Sequence, residues 1–220
     1  MNSTADNPNI RTGKHKKGRR TAAHILEQST QVLMRDGYSQ FSLRRVAQAA
    51  GVTLGNLQYY FPTKPVLVEA MLVHVIEGYI DTFDRLMAEV EGRPEEQLTA
   101  VLTFVIRDLT SPQTTVLFPE LWSMANHEPA VQQYVEDLYE SYRRIVAGLI
   151  ARINPRLSPG QVRLLTIFIT ASIEGHTPFT GHGKRWEHLT PAIEKVAIET
   201  YIELIQKGDL PEVPHSASND

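Results

Sequence analysis

The segment from Ser42 to Lys64 constrains the fold more than any other part of the chain, because it predicts two short helices joined by a glycine turn. Ser42 and Thr53 are both good helix N-caps, and each precedes apolar residues at helical spacing. Between the two helices, Gly51 supplies the positive φ angle at which helices commonly end. Pro62 closes the second helix. The segment therefore predicts a helix-turn-helix, a motif that often binds DNA.

The second helix of such a motif lies in the major groove with its first residues against the base edges. Asn56 and Gln58 suit that position because both side chains can pair bidentately with adenine. Gly55 costs about 1 kcal/mol of helix propensity relative to alanine, which is understandable if the backbone approaches DNA closely. The residues predicted to contact DNA are Ser42, Arg44, Arg45, Thr53, Leu54, Gly55, Asn56, Gln58, Tyr59, Tyr60 and Lys64. On spacing alone, an ordinary helix pair within an α-helical protein is the alternative.

Residues 20–64 resemble the N-terminal domain of the TetR family of transcriptional repressors. The matching pieces are RDGYSQFSLRRVAQAAGV, which contains a glycine-aromatic pair and an arginine-bearing helix, and GNLQYYFPTK, which has an aromatic-Phe-x-x-Lys ending. Three positions, Arg45, Gln58 and Pro65, depart from the residues usual in the family. Tyr59 and Tyr60 still offer hydroxyls that can be directed at phosphate. The resemblance implies a DNA-binding domain followed by a helical body that dimerises and encloses a small molecule.

The charge of the chain changes sign at the end of this segment. Up to Lys64 the chain has ten Lys and Arg residues against three Asp and Glu, and after it 12 against 22. The net charge of −3 therefore averages a basic head and an acidic body. A basic head suits DNA, since phosphate contacts supply most of the non-specific affinity.

Part of this positive charge precedes the first predicted helix. The residues concerned are Arg11, Lys14, Lys16, Lys17, Arg19 and Arg20. Beside a helix-turn-helix, we expect them to form a flexible arm on the DNA backbone or in the minor groove. A solvated tail is the alternative.

Apolar residues recur at three- and four-residue spacing along nearly the whole chain, which predicts an all-α protein. Breaks are expected at Gly92–Pro94, Ser111–Pro112 and Asn154–Pro155, and a helix that starts at Thr63–Pro65 links the two domains. The predicted organisation is a basic flexible arm over 1–18, a three-helix DNA-binding domain with the helix-turn-helix over 19–64, a larger helical effector-binding and dimerisation domain over 65–207, and a disordered tail over 208–220.

The last two long helices predict a homodimer. The helix after Ser158 is apolar on nearly every side and is expected to be buried, and the final helix, from about Thr190 to Lys207, is broadly apolar. Ala171, Ser172 and Gly175 are small enough to let another helix approach. A two-fold dimer places two recognition helices one DNA turn apart, on a palindromic operator. In the TetR family the corresponding helices form a four-helix bundle with their copies; packing within one subunit is the alternative.

The family resemblance also implies a cavity for a small-molecule effector in the body. The residues predicted to line it are Phe104, Phe118, Trp122, Met124, His127, Tyr139, Tyr142, Ile173 and His176. Each of them also fits ordinary core packing. Because the set is mostly aromatic and aliphatic, it favours a hydrophobic or amphipathic effector.

A metal site is the weaker of two interpretations of the histidines near the C-terminus. His176, His182 and His188 lie in a loop region with Glu174 and Glu187, and imidazoles with carboxylates can bind a divalent metal. Their six-residue spacing matches no close helical pair, so we expect surface loop histidines and no cofactor.

Enzymatic chemistry has no support in the sequence. It contains no G-x-S-x-G, Walker, dinucleotide-binding or H-E-x-x-H motif, and Asp36, Glu69 and Glu120 are isolated acids. There are no cysteines, which excludes disulfides and thiolate catalysis. No apolar run reaches the roughly 18 residues of a membrane span, so we expect a soluble, cytoplasmic protein.

Two hypotheses from different classes follow. The first is a ligand-responsive repressor that binds a palindromic operator as a dimer and is released by an effector. The second is an all-α small-molecule or protein-binding module whose helix-turn-helix is structural. The basic head favours the first.

Overall fold

The computed structural model describes residues 16–213, and this part of the chain is helical with no β-strand. The helices are α1 (Lys16–Asp36), α2 (Leu43–Ala49), α3 (Leu54–Tyr60), α4 (Lys64–Glu89), α5 (Pro94–Asp108), α6 (Pro112–Ala125), α7 (Pro129–Ile153), α8 (Pro159–Glu174), α9 (Thr177–Thr180) and α10 (Thr190–Lys207). The all-α prediction is confirmed. Within residues 16–213 no helix combines the length and apolar character needed to cross a membrane.

The basic stretch before residue 20 differs from the expectation of a flexible arm. Lys16, Lys17, Arg19 and Arg20 belong to the first turns of α1. Lys and Arg are good helix formers, so they extend the helix that the apolar face of α1 anchors. Arg11 and Lys14, and residues 214–220 of the predicted tail, lie outside the described part of the chain.

The chain divides into two compact units. Within the described residues, the head unit comprises 16–79 and Val116–Leu138, and the body unit comprises Ile80–Thr115 and 139–213. Neither is one continuous stretch, since α4, α6 and α7 each contribute residues to both.

The core of the head unit is built around the helix-turn-helix. Ile25 of α1, Val46 of α2 and Leu57 of α3 are fully buried, and the same cluster includes Met71 of α4 and Leu117 of α6. Each such side chain contributes about 1.5–3 kcal/mol of hydrophobic stabilisation. The two short helices α2 and α3 therefore rest on α1, α4 and α6.

The core of the body unit joins α5, α7, α8 and α10. The fully buried side chains are Leu98, Val101, Leu102, Val146, Ile150, Ile169, Ile173 and Ile205. At one end, the Asn154 side chain donates to the carbonyl of Ile205 at 2.8 Å. At the other, Arg107 pairs with Glu194 at 2.8 Å, which ties α5 to α10.

The expectation that α8 is buried is correct for only one of its faces. Leu165, Ile169 and Ile173 are buried, but Ile167 and Phe168 are 46% and 51% exposed. A helix packed on one layer can bury only one stripe, so the opposite apolar stripe of α8 faces outward.

Candidate nucleic-acid interface

The helix-turn-helix forms through the caps and turn that its sequence predicts. The Ser42 hydroxyl accepts the Arg45 backbone N–H at 3.4 Å, and the Thr53 hydroxyl accepts that of Asn56 at 3.1 Å. Gly51 has φ +64°, a conformation that costs an L-residue about 1–2 kcal/mol. The Val52 N–H then donates to the Ala47 carbonyl at 3.0 Å. These bonds set the angle between α2 and α3.

Most of the residues predicted to contact DNA share the exposed side of this helix pair. Exposed residues of the set are Arg44, Arg45, Thr53, Gly55, Asn56, Gln58 and Tyr59, while Ser42, Leu54 and Lys64 are half-buried. A Cβ added at Gly55 would meet nothing within 4 Å, so packing inside the chain does not require glycine there.

Tyr60 is the exception, and its predicted role at DNA needs correction. Its side chain is only 7% exposed and belongs to the head core, whereas Tyr59 is 53% exposed. The two rings meet edge-on with centroids 5.1 Å apart. Successive helical residues point about 100° apart, so only one of two adjacent tyrosines can face outward. Tyr59 is therefore the tyrosine available to phosphate.

The two arginines of α2 have different surroundings. Arg45 donates to Asp36 at 3.0 Å and to Gln40 at 3.3 Å. Arg35 also pairs with Asp36, and the hydrogen bonds from Arg35 and then Arg45 hold the Asp36 pKa well below its usual range. No residue between 16 and 213 forms an ion pair with Arg44. Arg44 thus keeps its donors for a ligand, while Arg45 also supports the fold.

Further positive charge flanks the turn. An open groove of about 1030 Å³ is lined by Lys16, Lys17, Arg20 and His24 of α1 together with Val52 of the turn. Thr21, Ala23 and Glu27 complete its lining. Lys16, Lys17 and Arg20, which were predicted to belong to a flexible arm, therefore lie on α1 next to the α2–α3 turn.

Tyr38, between α1 and α2, is the centre of a network that the sequence analysis missed. Its backbone N–H donates to Glu120 of α6 at 3.2 Å, and its hydroxyl donates to Glu128, just before α7. Lys64, at the start of α4, donates to the Tyr38 carbonyl at 3.3 Å and lies 3.9 Å from the centre of its ring. Burial and then Glu128 raise the pKa of Tyr38 to about 12. Through its backbone and its side chain, Tyr38 thus links the segment before α2 to α4, to α6 and to the residue that precedes α7.

Removing the Tyr38 hydroxyl tests this network. Tyr38→Phe leaves the half-buried Glu128 carboxylate without its donor, so the free energy of unfolding in urea is expected to fall by about 1–3 kcal/mol. Glu128→Gln keeps an acceptor oxygen for the hydroxyl and is expected to lose less. Equal stability of Tyr38→Phe and the parent chain would show that the contact adds nothing.

The other acids that looked isolated in sequence also have structural partners. The Tyr134 hydroxyl of α7 donates to Glu69 of α4 at 2.7 Å. Burial, followed by Glu69, raises the pKa of Tyr134 to about 12. With Glu120 and Asp36, Glu69 therefore helps to hold the helices of the head unit together.

The sequence of this chain matches two known protein families. Residues 25–71 match the family described as bacterial regulatory proteins, tetR family, and residues 94–204 match the family described as BetI-type transcriptional repressor, C-terminal. The chain belongs to the TetR family of transcriptional regulators. The match over 25–71 contains the whole helix-turn-helix described above.

Individual relatives agree with this assignment. The HTH-type transcriptional regulator BetI of Burkholderia thailandensis is 27% identical over 157 residues, which cover 70% of this chain and 77% of the relative. A transcriptional regulator from Pseudomonas aeruginosa has the same fold, with a TM-score of 0.72, 18% identity and coverage of 92% of this chain and 97% of its own. A regulator from Saccharomonospora viridis, solved in complex with choline, has a TM-score of 0.67, 18% identity and coverage of 86% and 96%.

In this TetR-family chain the predicted effector residues fall into two groups. Phe118, Trp122, Met124 and His127 belong to the head unit, where Phe118 contacts Tyr79 and Trp122 and His127 is exposed. Phe104, Tyr139, Tyr142, Ile173 and His176 belong to the body unit. Phe83 of α4 joins two of the latter, since it contacts both Phe104 and Tyr142.

Among the histidines that follow α8, His182 lies beside an acidic residue of the same loop region. His182 Nδ1 lies 3.5 Å from Glu187, whose other oxygen accepts the Gly183 backbone N–H at 2.7 Å. Within residues 16–213 no three His, Cys, Asp or Glu side chains are grouped so that they could hold a metal ion.

Proposed function

We propose that the chain is a ligand-responsive repressor, which binds a palindromic operator through α2 and α3 as a homodimer and is released by a small effector. The observation that carries the proposal is the exposed face of α2 and α3. On it Arg44, Asn56, Gln58 and Tyr59 project from a helix pair fixed by caps and a buried core. Arginine, asparagine and glutamine read guanine and adenine in the major groove. The neighbouring cations of α1 supply phosphate contacts.

The outward apolar stripe of α8 supports the homodimer. Ile167 and Phe168 of α8 and Val196 of α10 are 46%, 51% and 64% exposed. They belong to the body unit, as does Tyr201, which meets Phe168 edge-on with ring centroids 6.3 Å apart. A copy of the same face would remove this apolar surface from water. It would also place a second α3 on the operator.

The body unit is the proposed site of the effector, a small hydrophobic or amphipathic molecule. Its aromatic side chains, Phe83, Phe104 and Tyr142, provide apolar walls. The Saccharomonospora viridis regulator of the same fold is in complex with choline, a small amphipathic cation, which is consistent with a ligand of this size.

Release follows if DNA and effector favour different conformations of one dimer. α4 begins at Lys64, four residues after α3 ends, and extends to Glu89 in the body unit. A shift of α4 would reach α3 through this short connection and through the Lys64–Tyr38 contact. Because the coupling is reciprocal, DNA must weaken effector binding by the same factor by which effector weakens DNA binding.

Operator binding tests the proposal. A palindromic fragment from the region upstream of the gene should be retarded by the protein at nanomolar concentration, and a scrambled fragment should not. Affinity should fall steeply between 50 and 200 mM salt, by about 10³-fold or more if each dimer neutralises six phosphates. Unchanged mobility at low salt would favour an all-α binding module in which the helix-turn-helix is structural.

Arg44→Ala separates base contacts from phosphate contacts. If Arg44 pairs with a guanine, the variant should lose about 1–3 kcal/mol of operator affinity and little affinity for random DNA. Arg144→Ala, an exposed arginine of the body unit, should bind like the parent. Equal losses on operator and random DNA would assign Arg44 to phosphate. Fluorescence anisotropy with both fragments at one salt concentration measures the difference.

A further inference from the structure

Three side-chain atoms of the body unit are buried without a hydrogen-bond partner among the described residues. The Tyr142 hydroxyl of α7 and one carboxyl oxygen of Glu174, at the end of α8, are sealed from solvent and have no hydrogen-bond partner. The Thr177 hydroxyl, three residues after Glu174, is in the same condition. Buried polar side chains nearly always have a hydrogen-bond partner, so the absence of partners here is unusual.

Aromatic rings pack against Tyr142. The Tyr142 ring stacks on Phe83 of α4, with centroids 5.5 Å apart and an interplanar angle of 12°. Phe83 in turn meets Phe104 of α5 edge-on at 5.6 Å. Tyr139, one turn before Tyr142, hydrogen-bonds to Glu174 through its side chain, which leaves the second carboxyl oxygen unpartnered. The cluster therefore combines aromatic faces with free acceptor atoms.

The electrostatics of the cluster disfavour negative charge in the absence of a ligand. Burial raises the pKa of Glu174, the Tyr139 hydrogen bond lowers it and Asp108 raises it, so that the resulting pKa is about 7. Burial, followed by Glu174 and Tyr201, raises the pKa of Tyr142 as well. A positive charge placed here would reverse the balance for Glu174, because an opposite charge favours the ionised carboxylate.

We propose that this cluster binds the ammonium group of a primary or secondary amine, with Glu174 and Tyr142 accepting its N–H hydrogen bonds and the aromatic rings packing against its apolar body. The inference deepens the proposed function, since the amine would be the effector. Ammonium N–H groups bonded to a carboxylate form charge-assisted hydrogen bonds, and cations are attracted to aromatic faces. A quaternary ammonium ion has no N–H and leaves both oxygens without a donor, so the site discriminates against it.

The position of Phe83 connects this site to α4. The Tyr142 hydroxyl and the unpartnered Glu174 oxygen are inaccessible to solvent, and Phe83 lies on the Tyr142 ring. An amine that packs on this ring takes the place of Phe83, which is part of α4. The same displacement that opens the site acts on the helix that begins immediately after the helix-turn-helix.

Calorimetry with matched ligands tests the class of effector on the full chain without DNA. The probes are phenethylammonium and octylammonium, their N-trimethylated derivatives, and 2-phenylethanol and 1-octanol as neutral counterparts. We expect at least one primary ammonium to bind at least tenfold more tightly than both its trimethylated and its neutral counterpart. Equal or tighter binding of the counterparts, or no binding by either amine, would overturn the proposal.

Two nearly isosteric variants test whether the Glu174 carboxylate and the Tyr142 hydroxyl bind the amine. Glu174→Gln and Tyr142→Phe are each expected to weaken amine binding by at least tenfold. Tyr142→Phe should not lower the melting temperature of the free protein, since it removes a buried hydroxyl that has no partner. Glu174→Gln keeps an oxygen that can accept the Tyr139 hydrogen bond. Tyr201→Phe is the control, because its hydroxyl already pairs with Ser172 at 2.7 Å, and it should bind the amine like the parent. A lower melting temperature for Tyr142→Phe with unchanged amine affinity would show that an internal water serves the hydroxyl, and would contradict the proposal.

The pH dependence of binding is a second readout. An ammonium ion favours ionised Glu174, so binding releases a proton below about pH 7 and affinity should rise from pH 6 to pH 8. Other titratable groups near Glu174 are Tyr139 and Tyr142 on α7, Asp108 on α5 and His176, whose pKa is lowered by burial, and Tyr201 on α10 interacts with Tyr142. The rise should disappear in Glu174→Gln. A rise that persists in this variant would assign the titration to another group and count against the proposal.

Failure of this inference is distinct from failure of the proposed function. If the amine binds but does not release the operator complex, the site is correct and the effector role is not. If operator DNA is released by a molecule without an ammonium group and no amine binds, the repressor function stands and this site assignment falls.

Discussion

Replacing Ile167 and Phe168 together with aspartate is expected to convert the proposed homodimer to a monomer and to weaken operator binding by about 100-fold or more, because a monomer binds one half-site of the operator at a time. Both side chains are about half exposed in the single chain, so the substitutions place charge in water and not in the core. The monomer should remain folded. In the dimer the same charges would face each other across a two-fold axis, where burial without a partner is unfavourable.

Three measurements separate the possible outcomes. Sedimentation gives the oligomeric state, circular dichroism the helix content, and anisotropy the affinity for a full operator and for a half-site. Val116→Asp is the matched control, since Val116 is 41% exposed but belongs to the head unit. It should remain a dimer and bind DNA like the parent. A dimeric Ile167→Asp/Phe168→Asp protein with normal operator affinity would place the interface elsewhere.

The parts of the fold that were predictable from sequence are those encoded locally. Ser42, Gly51 and Thr53 each act within a few residues, through a cap or a φ angle, and all three occur where predicted. The break before Pro94 and the start of α10 at Thr190 follow from proline at a first helical turn. Such signals do not depend on which helices later pack together.

Contacts between distant segments could not be predicted in this way. Glu120 and Glu128 lie more than 80 positions from Tyr38 in the sequence, and neither is part of a local pattern. The only signal was Tyr38 itself, in the glycine-aromatic pair of the family pattern. Glu174 was weighed as a metal ligand because histidines follow it, whereas burial beside Tyr139 and Tyr142 is what distinguishes it. The prediction that Tyr60 contacts DNA was wrong because the sequence alone does not show which of two adjacent tyrosines faces the core.

Adjacent residues of α3 are expected to give opposite results when each is changed to alanine. Leu57 is fully buried in the head core, so Leu57→Ala should lower the free energy of unfolding by about 2–5 kcal/mol. Asn56 is exposed, and its backbone N–H, not its side chain, bonds the Thr53 hydroxyl. Asn56→Ala should therefore change stability by no more than about 0.5 kcal/mol. If Asn56 reads an adenine, operator affinity should fall by about 1–3 kcal/mol in the same variant.

Urea unfolding of each variant and anisotropy on operator and random DNA provide the comparison, with binding measured at a temperature where Leu57→Ala is still folded. At that temperature Leu57→Ala should lose affinity for both operator and random DNA, because α3 without its buried leucine is held less firmly and all of its exposed side chains are less well positioned. Asn56→Ala should lose affinity for the operator alone. Loss of stability without loss of specificity in Asn56→Ala would mean that Asn56 supports the helix. The exposed face of α3 would then read DNA through Gln58 and Tyr59, with Arg44 of α2 as the remaining base-directed side chain.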